Sequence, residues 1–118
     1  MWQRRKEHLN WIDLQKGNEM NESFIGKKVI IRGDRSGVFF GTLAAKEGRE
    51  VKLTDCRRLW YWDGAASISQ LATDGTTKPN NCKFTVTVNE IIILDAIEII
   101  PCTDKAIEKI EKVAKWKM

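Results

Sequence analysis

The sequence has little of what most catalytic and metal centres are built from. Histidine occurs once, as His8. Cysteine occurs three times, at 56, 82 and 102, an odd number at wide intervals with no zinc-ligand spacing. A disulfide framework and a zinc knot are thereby excluded, and the cysteines read as buried thiols of a reducing cytoplasm. Long hydrophobic runs are missing too. The longest, Ile91 to Ile99, is broken by Asp95 and Glu98 and is far too short to span a bilayer. The opening MWQRRKEHLNW lacks the apolar core of a signal peptide. Nor does one sign of charge dominate: 20 basic residues face 16 acidic ones, for a net charge of +4. The nearest approach to a polybasic run is Arg4-Arg5-Lys6. Such a balance permits an anionic partner without demanding one, and argues against a long phosphate track.

What the sequence does have is tryptophan, five in 118 residues, and a hydrophobic fraction of 42%. That is enough for one folded domain with a modest core. The most informative stretch is Val51 to Gly64, VKLTDCRRLWYWDG. Its residues favour strand, and Asp63-Gly64 ends it as a turn. Strand alternation puts Arg57, Leu59 and Tyr61 on one face and Arg58, Trp60 and Trp62 on the other. Rings that stack on bases beside arginines that pair with phosphates are a binding combination. Tryptophans that bury area under snorkelling arginines are the structural alternative.

Around this stretch the pattern predicts one domain in three parts. Residues 1–23 form an amphipathic helix, with Leu9, Trp11 and Ile12, and a linker. Residues 24–101 form a small β domain with a short helix near 65–73. Residues 102–118 form a second amphipathic helix, capped by Thr103, with Ile107, Ile110 and Val113 as its stripe. Strands are expected at Gly26–Arg32, Val38–Leu43, the arginine stretch, Lys83–Val88 and Ile91–Ile100. Phe84, Val86 and Val88 should point inward, and Asn89-Glu90 should be a tight connection. Gly41 inside a strand marks a bend, a bulge or a close backbone approach. The fold class is mainly β with flanking helices (α+β): a small Tudor-like or SH3-like curled antiparallel barrel decorated at both termini.

No catalytic constellation emerges. His8 has no nucleophile beside it. Cys56 precedes two arginines that would lower its pKa, against a structural reading as a buried thiol. Gly33 to Gly37 lacks the ending of a phosphate-binding loop. The expectation is a binding protein, not an enzyme, with no cofactor and no metal.

The stretches SGVFFGTL, EGREVKLTDCRRLWYWDGAASISQLA and KFTVTVNEIIILDAIEIIPCT together resemble the bacteriophage anti-Thoeris type 1 proteins, over roughly Lys27 to Lys115. Those proteins are sponges that sequester cyclic ADP-ribose-type signals (gcADPR) without cleaving them, some also taking cyclic oligonucleotides. The resemblance implies an anti-defence role in the cytoplasm of an infected bacterial host, and dimers building a homohexamer. It implies Arg32, Arg57 and Arg58 as phosphate residues, Phe84 as a stacking ring and Asn89 as a base-reading amide. Trp60 and Trp62 join them from the aromatic stretch, and Lys105, Lys109 or Lys112 stands where the family would have a further arginine, Lys109 being the one taken into the site. The alternatives are a phage nucleic-acid-binding module and a structural oligomerisation protein.

Overall fold

The computed structural model describes residues 24–118. The N-terminal helix and linker expected over 1–23 lie outside the described residues. Strands β1 (Lys28–Gly33), β2 (Val38–Glu47) and β3 (Glu50–Tyr61) form an antiparallel meander. Helix α1 (Ile68–Asp74) and a 3-10 turn at Pro79–Asn81 follow. The chain then adds β4 (Lys83–Phe84), β5 (Val88–Ile93), β6 (Ala96–Pro101) and helix α2 (Asp104–Glu111). The sheet order is β4-β3-β2-β1-β6, and β5 pairs with the first half of β3.

The closed, curled barrel expected from the sequence is not what forms. The sheet is open: no ladder among the described residues joins β6 to β4 or β5. Two local causes stand out. The run Ile91–Ile100 is not one strand but two, divided at Leu94-Asp95. That corner sends β6 to β1 while β5 stays on β3. Asp95 holds the corner by receiving hydrogen bonds from the Arg35 and Ser36 backbone N–H groups at 2.8 and 3.1 Å, and from the Ser36 hydroxyl. In addition, KFTVTV is not one strand: Lys83–Phe84 form β4, Val88 already opens β5 opposite Cys56, and Val86 and Val88 are exposed rather than inward. Asn89-Glu90 is no turn and lies within β5.

Gly41 marks a bulge. Its neighbours Phe40 and Thr42 pair with Arg57 and Thr54, leaving Asp55 and Cys56 opposite one glycine. Asp55 takes a left-handed φ of 49°, the usual way for an extra residue to be absorbed. A Cβ on Gly41 would lie 3.0 Å from the Thr54 carbonyl and 3.1 Å from the Cys56 Cα.

The central strands bury both faces, as their alternation requires. Val29, Ile31, Phe39, Leu43, Leu53 and Cys56 enter one cluster, closed by Ile93 and Ala96. Ile30, Phe40, Leu59 and Phe84 enter the other, which α1 and α2 cover with Leu71, Ala72, Ala106 and Ile110. Each fully buried aliphatic or aromatic side chain contributes roughly 1.5–3 kcal/mol. That matters most for α2, whose eight residues are too few for a stable isolated helix. Thr103 caps it as expected, its hydroxyl oxygen accepting from the Ala106 N–H at 3.1 Å.

Candidate functional site

Arg57 and Arg58 leave β3 on opposite faces, as alternation predicts, and meet different surroundings. Arg57 is 5% exposed. Its guanidinium donates to four backbone carbonyls: Thr85 at 3.0 Å, Ile110 at 3.1 Å, Phe84 at 3.1 Å and Ala114 at 3.2 Å. It also lies 5.5 Å from the Phe84 ring centroid. Burial pulls its pKa below the ordinary arginine value, yet the carbonyls at the α2 C-terminus favour the cation. Arg57 is therefore a clamp that fastens the end of α2 to β4.

Arg58 faces the other way. It sits 4.5 Å over the Phe39 ring, and one Nη donates to the Ser36 carbonyl. With Arg35, Ser36, Phe39, Leu94 and Asp95 it lines an open groove of about 460 Å³ between the β1–β2 turn and the β5–β6 corner.

Trp60, two residues beyond Arg58 along β3 at a bulge against β4, is 63% exposed. It stacks on Trp116, centroids 6.2 Å apart and planes 13° from parallel. Lys83 places its Nζ 5.4 Å from the Trp116 ring centroid. The chain end is held there by backbone: the Trp116 N–H donates to the Phe84 carbonyl at 2.8 Å, and Lys115 bridges to Phe84 in parallel. Arg57 fastens the same segment through Ala114. Tyr61, 50% exposed, pairs with Lys83 across β3 and β4.

The other residues nominated from sequence scatter. Phe84 is fully buried, so its ring offers no face to a ligand. Arg32 is exposed and pairs with Glu98 across β1 and β6 at 2.9 Å. Trp62 packs on the helix-covered core. Asn89 is exposed on β5. Lys109 lies by Gly75 and lines a separate cavity of about 490 Å³ with Thr76, Thr77 and Lys112. Arg32, Arg57, Arg58, Phe84 and Asn89 thus do not converge on one nucleotide pocket. Three contributors went unmarked in the sequence: Arg35 in a glycine-flanked turn, Lys83, and Trp116. The one available signal for the last was a tryptophan kept past the end of the apolar stripe.

The thiols near the site are not activated. Burial pushes the Cys56 and Cys102 thiols up to about 12, outweighing the opposing charges of Arg58 and Lys28. The activation of Cys56 by its arginine neighbours is therefore overruled by desolvation. Among the described residues no three His, Cys, Asp or Glu side chains gather as a metal site. No described helix is long and apolar enough to cross a membrane.

Comparison with known proteins corrects the sponge assignment. No curated protein matches the sequence. Two solved structures are similar, both at 16% identity. One is a heptameric archaeal Sm protein, with a TM-score of 0.47 over 72% of this chain and 98% of that one. The other is the SmAP1 heptamer of P. aerophilum, with a TM-score of 0.48 over 73% and 92%. The cyclic-nucleotide ligand, the anti-defence role and the dimer-to-hexamer assembly that came with that resemblance are withdrawn, because the family model that matches is a different one and Arg32, Arg57, Phe84 and Asn89 form no common pocket. A family model, described as a domain of unknown function (DUF6948), matches residues 26–110. Since that match runs from just before β1 into the last turn of α2, the chain belongs to the DUF6948 family.

Proposed function

We propose that the protein is a nucleic-acid-binding module that takes a short single-stranded segment on the open face of β3 and β4. The observation that carries this reading is the Trp60–Trp116 stack with Lys83 against it. Two indoles left 63% and 46% exposed forgo burial that would stabilise the fold. They are nonetheless held nearly parallel by a backbone-anchored chain end. Rings of this kind accept the π-face of any unstacked base, at roughly 1–3 kcal/mol per base. Lys83 against the stack and Arg58 two residues before Trp60 in β3 supply cations, in keeping with a mild net charge and a short footprint. Of the residues nominated from sequence, Arg58 and Trp60 remain in this site. Three free thiols suit a reducing, cytoplasmic compartment.

Titration of a fluorescent single strand and of the matching duplex, each at two salt concentrations, tests the reading. The single strand is expected to bind more tightly than the duplex, and its affinity to fall with salt. Equal binding of both forms, or binding of neither, would overturn it.

A further inference from the structure

We infer that the groove between the β1–β2 turn and the β5–β6 corner is a phosphate site, in which Arg35 and Arg58 hold one phosphoryl group of the strand that stacks on Trp60 and Trp116. The identity of the ligand rests on the proposed function; the anion chemistry of the groove does not.

The groove brings two guanidinium groups and one carboxylate together, and the carboxylate is already taken. Asp95 receives hydrogen bonds from the Ser36 hydroxyl and from two backbone N–H groups, of Arg35 and Ser36. It is satisfied by neutral donors, not by the arginines it lies among. Neither Arg35 nor Arg58 forms an ion pair among the described residues, where seven other basic side chains do not share that property. In a groove with a charge excess of this kind, an added anion gains two guanidinium partners without displacing a carboxylate from either.

Arg58 is also preorganised. The Phe39 ring lies beneath its guanidinium and the Ser36 carbonyl holds one Nη, which leaves further N–H donors free. Room for that seat depends on Gly37. Its φ of +113° disfavours any side chain, and a Cβ there would come within 3.3 Å of the Arg58 Nη1. The Asp95 hydrogen bonds pin the same turn and so fix where Arg35 begins. The exposed side chain of Leu94 forms an apolar wall, suited to the sugar flanking a phosphate. Arg58 and Trp60 lie two residues apart along β3, about 7 Å by the strand rise, with a bulge between Leu59 and Tyr61 turning the indole toward the chain end. A base on the indole and a neighbouring phosphate on the guanidinium are therefore within one ligand's reach.

The test follows backbone amide NMR shifts in the full chain during titration with inorganic pyrophosphate, with an abasic phosphodiester tetramer, and with a base-bearing single strand. Saturable shifts at Ser36 and Gly37 are expected with the tetramer and the base-bearing strand, lost in Arg35→Ala and kept in Lys112→Ala, whose side chain lines the separate cavity beside α2. Arg35 is exposed, so its replacement leaves the fold intact. For the base-bearing strand, Arg35→Ala should also lower the slope of log affinity against log salt by about 0.7. Silence at Ser36 and Gly37 with all three ligands overturns the phosphate site. Silence there while the strand shifts Trp60 and Trp116 overturns the groove alone. Shifts from the abasic tetramer with none at the indoles from any strand would keep the groove and sink the base-stacking reading. Saturation by pyrophosphate but not by the tetramer overturns the strand as its ligand, in favour of a free phosphate.

Discussion

Arg57 and Arg58 carry the same side chain on successive residues, and the two faces of β3 put them to opposite use. On the helix-covered face, four carbonyls consume the guanidinium of Arg57, and its partner ring Phe84 is buried. On the open face, Arg58 keeps donors to spare over a ring at the floor of a groove. The same holds for the tryptophans: Trp62 packs on the core while Trp60 stacks in the open. Residue type alone therefore does not separate a binding arginine from a structural one. What separates them is whether the donors are already satisfied by the chain.

The sharpest way to break that contrast is to exchange the consequences. Arg57→Met removes the charged donor of four carbonyls at the end of α2, and should cost about 3 kcal/mol of stability. Arg58→Met should cost less than about 1 kcal/mol and weaken strand binding instead. Urea unfolding of both variants measures the difference. A larger loss of stability from Arg58→Met would reverse the assignment of the two faces.

Trp60→Ala should reduce single-strand affinity by roughly 1–3 kcal/mol with little change in the unfolding midpoint. Trp62→Ala should do the opposite, since Trp62 packs on the helix-covered core. Fluorescence anisotropy with a labelled strand, set beside the unfolding curves, resolves the pair. The bulge that carries β3 past β2 offers an effect on stability alone. Gly41→Ala brings a Cβ to 3.0 Å from the Thr54 carbonyl, an overpacked contact worth roughly 1–3 kcal/mol. Thermal unfolding should show the loss.

The smallest effect is one of pH. The Ser36 hydroxyl and the Arg35 N–H, with a smaller share from the Ser36 N–H, hold the Asp95 carboxyl below the usual carboxylate range against an opposing push from burial. A depressed folded pKa contributes stability that is present above the unfolded value, about 3.9. That contribution is lost as pH falls through the folded value. The Ser36 amide resonance should therefore titrate below the usual aspartate range, and the turn should loosen there. Asp95→Asn should abolish that titration. Titration of the Ser36 amide at an ordinary aspartate pKa would show that the turn is not pinned as described.

Local chemistry was legible in the sequence where it depends on neighbours along the chain. Thr103 before an amphipathic run caps α2, and Gly41 within a strand sits at a bulge. Asp63-Gly64 closes β3, and the expected short helix near 65–73 appears as α1. Alternation assigned Arg57 and Arg58 to opposite faces. It did not say which face the helices would cover, because that is decided by contacts far along the chain. Ile91–Ile100 looked like one strand because isoleucines on both faces hide a corner. The corner is set by Asp95 meeting a turn some sixty residues earlier. Trp116 as the partner of Trp60, and Arg35 as the partner of Arg58, depend in the same way on long-range pairing that periodicity does not encode. The resemblance of the central motif to a sponge family rested on the same arginines and rings, read without their partners.

Ultraviolet cross-linking of a bound single strand, followed by mass spectrometry of the digested protein, tests the central claim most directly. The peptides carrying Trp60 and Tyr61, Lys83, and Trp116 should hold the cross-links, and those carrying Thr76 to Asn80 or Lys109 to Lys112 should not. Cross-links confined to the cavity beside α2, or none at all under saturating strand, would contradict the open face of β3 as the binding surface.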